Sequence, residues 1–216
     1  MWPMELQIKQ QRIQLLPEGA AYWVNTKSLL IADAHLGKIA HFRKNGFAVP
    51  PQIQYSFYKK METLLATLSV KRIFFLGDLF HSDRNKEWDR FSEWNQQNPF
   101  PSILIKGNHD ILPDFLLEQS GLRVEEEWFE AGLCLTHHPQ QKVDHVNLCG
   151  HVHPGVRLQG QGRQRLKVPC FFYRPNQLIL PAFGVFTGLH IMQPSTEDQV
   201  YALGEKHVLA ISIRKK

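Results

Sequence analysis

Five short segments of the chain carry residue types that bind divalent metal ions: Asp33-Ala34-His35, Gly77-Asp78, Gly107-Asn108-His109-Asp110, His137-His138 and Gly150-His151-Val152-His153. The candidate ligands are Asp33, His35, Asp78, Asn108, His137, His151 and His153. Aspartate, asparagine and histidine offer oxygen and nitrogen donors without a thiolate. That donor set suits Mn, Fe or Zn in a reactive site better than a structural zinc or a calcium cage, and Mn is the first choice. Two divalent cations set against two carboxylates and one hydroxide leave a net charge of about +1, which attracts a phosphodiester anion and stabilises the charge of its transition state. The expected chemistry is two-metal hydrolysis of a phosphodiester.

The pairs Asp33/His35 and His151/His153 are two residues apart, a spacing that in extended backbone turns both side chains to one side. Gly77, Gly107 and Gly150 stand beside the ligands, where the missing side chain lets the backbone turn sharply and come close to an ion. Taken singly, each segment has a plainer explanation. A histidine at a strand end is more often a hydrogen-bonded core or surface residue, Asn108 suits a turn, and Gly-His-Val-His-Pro suits a loop. Asp110 either orients a neighbouring group or caps the helix that follows it. What sets the five apart is recurrence, because each follows a short, largely apolar run: residues 28–32, 73–76, 103–105, 133–135 and 146–149.

Runs that are continuously apolar, not alternating, predict strands buried on both faces. Between the first three lie segments of helical character, 52–68 and 83–95, giving a β-α-β-α-β order and hence parallel strands. Residues just beyond the carboxyl ends of parallel strands line one crevice, so the five segments should converge there. After a short helix at 112–119 the pattern turns to strands at 166–173, 177–182 and 200–213, separated by glycine and proline turns, which predicts a second, largely antiparallel sheet. No repeat or linker divides the 216 residues, and a single domain over 1–216 is expected.

Composition agrees with a compact enzyme: 43 % of residues are hydrophobic and 21 % charged, far from the signature of disorder. No apolar run reaches the ~20 residues of a membrane span, and residues 1–14 alternate polar with apolar, so the expected location is cytoplasmic with no membrane partner. Cys134, Cys149 and Cys170 read as buried free thiols. The net charge of +5 is modest but unevenly spread. Residues 34–61 hold no acid and include Lys38, Arg43, Lys44, Lys59 and Lys60; residues 145–196 hold none and include Arg157, Arg163, Arg165, Lys167 and Arg174. Lys38, Arg43 and Lys44 directly follow the first ligand segment and are candidate substrate contacts at the crevice rim, where a polyanion rewards spread positive charge. Lys59 and Lys60, within an amphipathic helix, read as a solvated face.

The motifs D-x-H, G-D, G-N-H-D, H and G-H-x-H, all present in order, resemble those of the calcineurin-like metallophosphoesterase superfamily. Within it, the stretches Ala-Asp-Ala-His-Leu-Gly-Lys (32–38), Leu-Gly-Asp-Leu-Phe-His-Ser (76–82) and Leu-Pro-Ala-Phe-Gly-Val-Phe-Thr-Gly (180–188) resemble the ligase-associated DNA-damage-response endonucleases. The resemblance implies an α/β fold, a four-layer α/β/β/α sandwich of two mixed sheets. It implies one ion on Asp33, His35, Asp78 and His153 and another on Asp78, Asn108, His137 and His151, with Asp78 bridging. It implies His109 as the catalytic histidine and His81 near the site, while Asp110, beside His109, would orient it. Motif four reads Thr-His-His-Pro, so His138 competes with His137. The activity implied is that of a DNA endonuclease working beside a DNA ligase and a helicase. A small-molecule phosphodiesterase, for example on cyclic nucleotides, and a non-catalytic scaffold are the alternatives.

Overall fold

The computed structural model describes residues 4–39, 42, 46, 48, 50, 53, 55–81, 86–160 and 164–213. Its first sheet has seven strands in chain order: β1 (Met4–Ile8), β2 (Gln11–Leu15), β3 (Ala21–Trp23), β4 (Ser28–Ile31), β5 (Arg72–Leu76), β6 (Ser102–Ile105) and β7 (Leu122–Glu125). β4, β5 and β6 pair in parallel, as the first three apolar runs predict, and β7, which was not assigned from sequence, adds a further parallel pair. Helices α1 (Ser56–Thr67), α2 (Lys86–Gln97) and α3 (Asp114–Gln119) make the crossovers. The alternating residues at the N-terminus become an antiparallel meander, β1 to β3, that extends this sheet and was not assigned from sequence.

The continuous apolar character of the central strands follows from double-sided burial. In β5, Ile73 and Phe75 pack with Phe57, Met61, Leu64 and Phe91 of the helices. Phe74 and Leu76 point the other way, into a second cluster with Leu30, Ile103, Leu133, Leu148, Phe171 and Leu178. That second cluster is the contact between two stacked sheets.

The second sheet comprises β8 (Trp128–Glu130), β9 (Leu133–Leu135), β10 (Val146–Cys149), β11 (Pro154–Gln159), β12 (Arg165–Arg174), β13 (Gln177–Ile179), β14 (His190–Ile191), β15 (Gln199–Leu203) and β16 (Val208–Ile211). It is mixed. β10 runs parallel to both β9 and β13, and β14 runs parallel to β11, while the remaining pairs are antiparallel. The expectation of a largely antiparallel sheet holds for most pairs; the strands expected at 133–135 and 146–149 are the parallel neighbours β9 and β10, joined by residues 136–145 as a crossover. The segment at 200–213 folds into the β15–β16 hairpin. Among the described residues no helix follows β7, and the outer face of the second sheet is closed by Val156, Cys170, Phe172 and Val200 around Cys149.

The five ligand segments therefore come from two sheets: three from β4, β5 and β6, and two from β9 and β10. Residues 180–184 tie the sheets together at this end. Leu180 N–H donates to Cys149 O at 2.8 Å, then Phe183 N–H to Ala32 O at 2.8 Å and Gly184 N–H to Asp33 O at 3.1 Å. Any side chain on Gly184 would collide with the Ala34 carbonyl. Lys60 reinforces the tie, its ammonium donating to the carbonyls of Glu18 and Phe183, each at 2.9 Å. The solvated-face expectation for Lys60 is thus wrong: its stem is covered and its charge is spent on backbone. Lys59 is exposed, as expected.

Candidate metal centre

The ligand segments are held to one another by backbone before any side chain is considered. Asp33 N–H donates to Gly77 O, His35 N–H to Asp78 O, Leu36 N–H to Leu79 O and His81 N–H to Leu36 O, so the chain after β4 stays zipped to the chain after β5. The two carboxylates join further segments. Asp33 Oδ2 accepts from His151 N–H and Asp78 Oδ1 from His109 N–H, both at 2.9 Å.

Asp33, His35, Asp78, His151 and His153 have φ of 51°, 46°, 49°, 66° and 51°. This corrects the reason given for the spacing-two pairs. Their side chains converge not across an extended strand but because each ligand sits in the left-handed region, at a cost of about 1–2 kcal/mol apiece. Aspartate and histidine tolerate that region better than most residues. The glycines make room for the ligands themselves: a Cβ at Gly77 would lie inside the His137 ring, one at Gly107 against Asp78, and one at Gly150 at 2.5 Å from Asp33 Oδ2.

Side-chain donor atoms then cluster in three linked groups, each within 4.8 Å: Asp33, His35 and His153; Asp33, Asp78 and His137; and His137, His138 and His151. His35 Nε2 and His153 Nε2 are 3.2 Å apart. His153 Nε2 is 3.5 Å from Asp33 Oδ1, and His137 Nε2 is 3.4 Å from Asp78 Oδ1. His151 Nδ1 lies 3.1 Å from His137 Nε2. Two rings are oriented by carbonyls that can only accept: His137 Nδ1–H donates to Leu76 O at 3.0 Å and His153 Nδ1–H to Thr187 O at 3.1 Å. Both rings therefore aim the Nε2 lone pair inward, as metal-binding histidines do. Sequence offers no signal for these partners, since both are backbone oxygens.

Among the described residues, buried Asp33 Oδ1 has no hydrogen-bond partner, and neither does buried His35 Nδ1. An orphaned carboxylate oxygen at the meeting point of three imidazoles is expensive unless a cation is there, and the donor set fits divalent metal ions. The protonation states agree. Burial, with Lys38 and His153 nearby, pushes His35 down to about 2, and burial with neighbouring histidines lowers His151 and His138. His153 moves the other way: burial opposes its charge, but the negative charge of nearby Asp33 and the Thr187 carbonyl raise it.

His137 is buried and shares a group with both aspartates, while exposed His138 joins only the histidine group, its ring 4.1 Å from that of His151. Asn108 is exposed on the loop after β6. His109, also exposed, has its ring 5.4 Å from His35 and 5.5 Å from His81, and His81 lies 5.7 Å from His35. Asp110 is buried, its carboxylate accepting from the backbone of Leu79, Phe80 and Gly107. Burial pushes it up to about 6 against the pull of those donors. It does not cap a helix, because α3 begins after Pro113 with no side-chain cap. Lys38 is half-buried close to Asp78 and Asp33, and burial lowers its pKa against their pull. Arg43 and Lys44 lie outside the described residues.

No curated protein matches the chain. Among solved structures, the crystal structure of Pseudomonas putida nuclease MPE is similar with a TM-score of 0.80 and 27 % identity, covering 97 % of this chain and 100 % of that one. A conserved protein from Streptococcus pneumoniae TIGR4, titled a predicted phosphoesterase, is 14 % identical over 85 % of this chain and 86 % of that one, and its TM-score of 0.33 carries no weight. Residues 26–155 match the family described as calcineurin-like phosphoesterase. That match opens ahead of Asp33 and ends just past His153, spanning every converging segment, and the chain accordingly belongs to the calcineurin-like phosphoesterases as a metal-dependent phosphoester hydrolase.

Proposed function

We propose that the protein is a two-metal phosphodiesterase acting on nucleic acid, in the first instance a DNA endonuclease. The observation that carries it is the position of Asp33 and Asp78 between two sets of inward-facing imidazoles, in a chain that matches a nuclease along its whole length. On this reading Asp33, His35, Asp78 and His153 hold one ion and Asp78, Asn108, His137 and His151 the other, with Mn preferred. When bound, the ions supply positive charge beside the phosphodiester and lower the pKa of water.

The chain's own residues do the rest. A ring nitrogen of His109 gives its proton to the leaving oxygen, and exposure lets substrate reach it. His81 stands 5.5 Å from that ring and limits its rotation. Asp110 fixes the loop that carries both Asn108 and His109, acting through backbone. The Lys38 ammonium draws the phosphodiester toward the carboxylates, with Arg43 and Lys44 following it in sequence.

The cellular setting, a DNA-repair enzyme that works beside a ligase and a helicase, rests on the resemblance of residues 32–38, 76–82 and 180–188 alone, and a cytoplasmic location on the sequence's lack of a long apolar run. The core shared by the two sheets supports one domain. Incubating Mn-loaded protein with labelled DNA and with a chromogenic phosphodiester tests the reading. Cleavage of both, abolished by EDTA and restored by Mn, is the expected result; turnover of the small ester alone would replace it with a small-molecule phosphodiesterase.

A further inference from the structure

The hairpin formed by β11 and β12 begins one residue after His153. Its register places Arg157 opposite Lys167 and Gln159 opposite Arg165. Directly opposed and two-apart residues share a face, so these four polar side chains, all exposed, form one surface. The other face carries Val156, Leu158 and Val168, which pack into the outer cluster of the second sheet.

Like charges directly opposed across a ladder destabilise it. Arg157 and Lys167 are so opposed, and among the described residues no carboxylate pairs with Arg157, Arg165 or Lys167. The arrangement is costly for the hairpin and favourable for a bound polyanion.

Topology sets where this surface looks. β12 is antiparallel to β13 and pairs with it only from Phe172 to Arg174, so residues 165–171 run on past the carboxyl end of β13. That is the end where His137, His151 and His153 lie. Residues 165, 167, 169 and 171 alternate to one face, and Phe171 belongs to the core between the sheets. The cations thus continue the inner face of the second sheet out beyond the metal centre. Pro169, next along that face, lines a cavity with Phe186, Thr187 and Leu189, and the Thr187 carbonyl is the one that orients His153.

On the reading that the substrate is nucleic acid, we infer that Arg157, Gln159, Arg165 and Lys167 form an arm that grips the phosphate backbone away from the scissile bond. Arg157 stands four residues beyond His153, with Pro154, Gly155 and Val156 of β11 between them, a span of at most about 13 Å at ~3.3 Å per residue. That corresponds to roughly four nucleotides of a duplex at 3.4 Å each. The arm holds the polymer by charge and reads no sequence.

The test compares Mn-loaded parent with the triple variant Arg157→Ala, Arg165→Ala, Lys167→Ala, and measures the ratio of kcat/KM on a 25-base-pair duplex to kcat/KM on a chromogenic phosphodiester. The ratio should fall about tenfold or more, and the salt dependence of duplex affinity should flatten by about 2.7, the value for three lost phosphate contacts at ~0.9 each. Lys167→Glu is the second variant: it pairs with Arg157 across the strands, so the thermal midpoint holds or rises while the ratio falls. An unchanged ratio and slope in both variants, with the parent still cutting DNA, would overturn the arm and leave the nuclease reading standing. A parent that hydrolyses only the small ester would overturn the nuclease reading, and the arm with it.

Discussion

His109 separates metal binding from turnover at the level of single residues. Its ring is exposed beside His35 and outside the three donor groups, so His109→Ala should keep both ions by elemental analysis yet lose about 10²–10⁴ in kcat, the range for a general acid. A variant that loses metal instead would make His109 a ligand. Proton linkage singles out a different histidine. His153 is raised above its ordinary value of 6.5 while His35 and His151 are lowered. A raised group keeps its proton to higher pH, so His153 is the ring that must give one up when metal binds, and metal affinity should rise as pH climbs through the window just above 6.5. Calorimetry just above pH 6.5 in buffers of differing ionisation enthalpy should show net proton release on metal binding, smaller in His153→Gln. Release undiminished in that variant would place the proton elsewhere. The convergence of Asp33, His35, Asp78, His137, His151 and His153 was legible in the sequence, because donor type and order are. Their left-handed backbone was not, because spacing of two serves an extended strand equally well. The preference for His137 over His138 needed the burial of one ring and the exposure of its neighbour.

The elements repeat that division. Continuous apolar runs announce the parallel strands because those strands are covered on both faces, whereas the alternating residues of β1 and β2 mark a half-covered meander that a short window does not separate from irregular chain. The tie at residues 180–184 was visible only as a motif of unassigned purpose, since its bonds are backbone to backbone. Lys60 was misread because its partners, the carbonyls of Glu18 and Phe183, are 42 and 123 residues away in sequence. Lys60→Met keeps the covered stem and removes the donor, leaving two carbonyls to find other partners. Urea unfolding should show a loss of about 1–3 kcal/mol, and a change within error would mean that water replaces the ammonium. Gly77→Ala tests the close approach of β5 to His137. With φ of 77° and the ring in the way, it should displace His137 and lower the metal content from two ions toward one.

For the molecule as a whole, the ligands are divided between two sheets that meet through Phe74, Leu148 and Phe171. Metal binding therefore adds a bond between halves already joined by a core. Removing the ions with EDTA should lower the thermal midpoint, because a ligand at 100 times its Kd stabilises the folded state by about 2.7 kcal/mol per site. Equal midpoints with and without metal would show that the sheets are locked by packing alone. Phe171→Ala, which opens a cavity in that core, should cost about 3–5 kcal/mol and weaken metal affinity in the same protein.

The left-handed backbone at Asp33, His35, Asp78, His151 and His153 also limits how this sequence can drift. Branched or bulky side chains are disfavoured there whether or not an ion is bound, and glycine, asparagine, aspartate and histidine take that backbone at least cost, although Phe186 and Lys9 show that other residues can adopt it. A descendant that abandoned catalysis would still be held near the same letters by its turns. In this fold an Asp-x-His signature records a backbone shape before it records an activity; on the proposed mechanism the residue that would separate a working enzyme from a silent relative is His109, whose backbone imposes no such restriction.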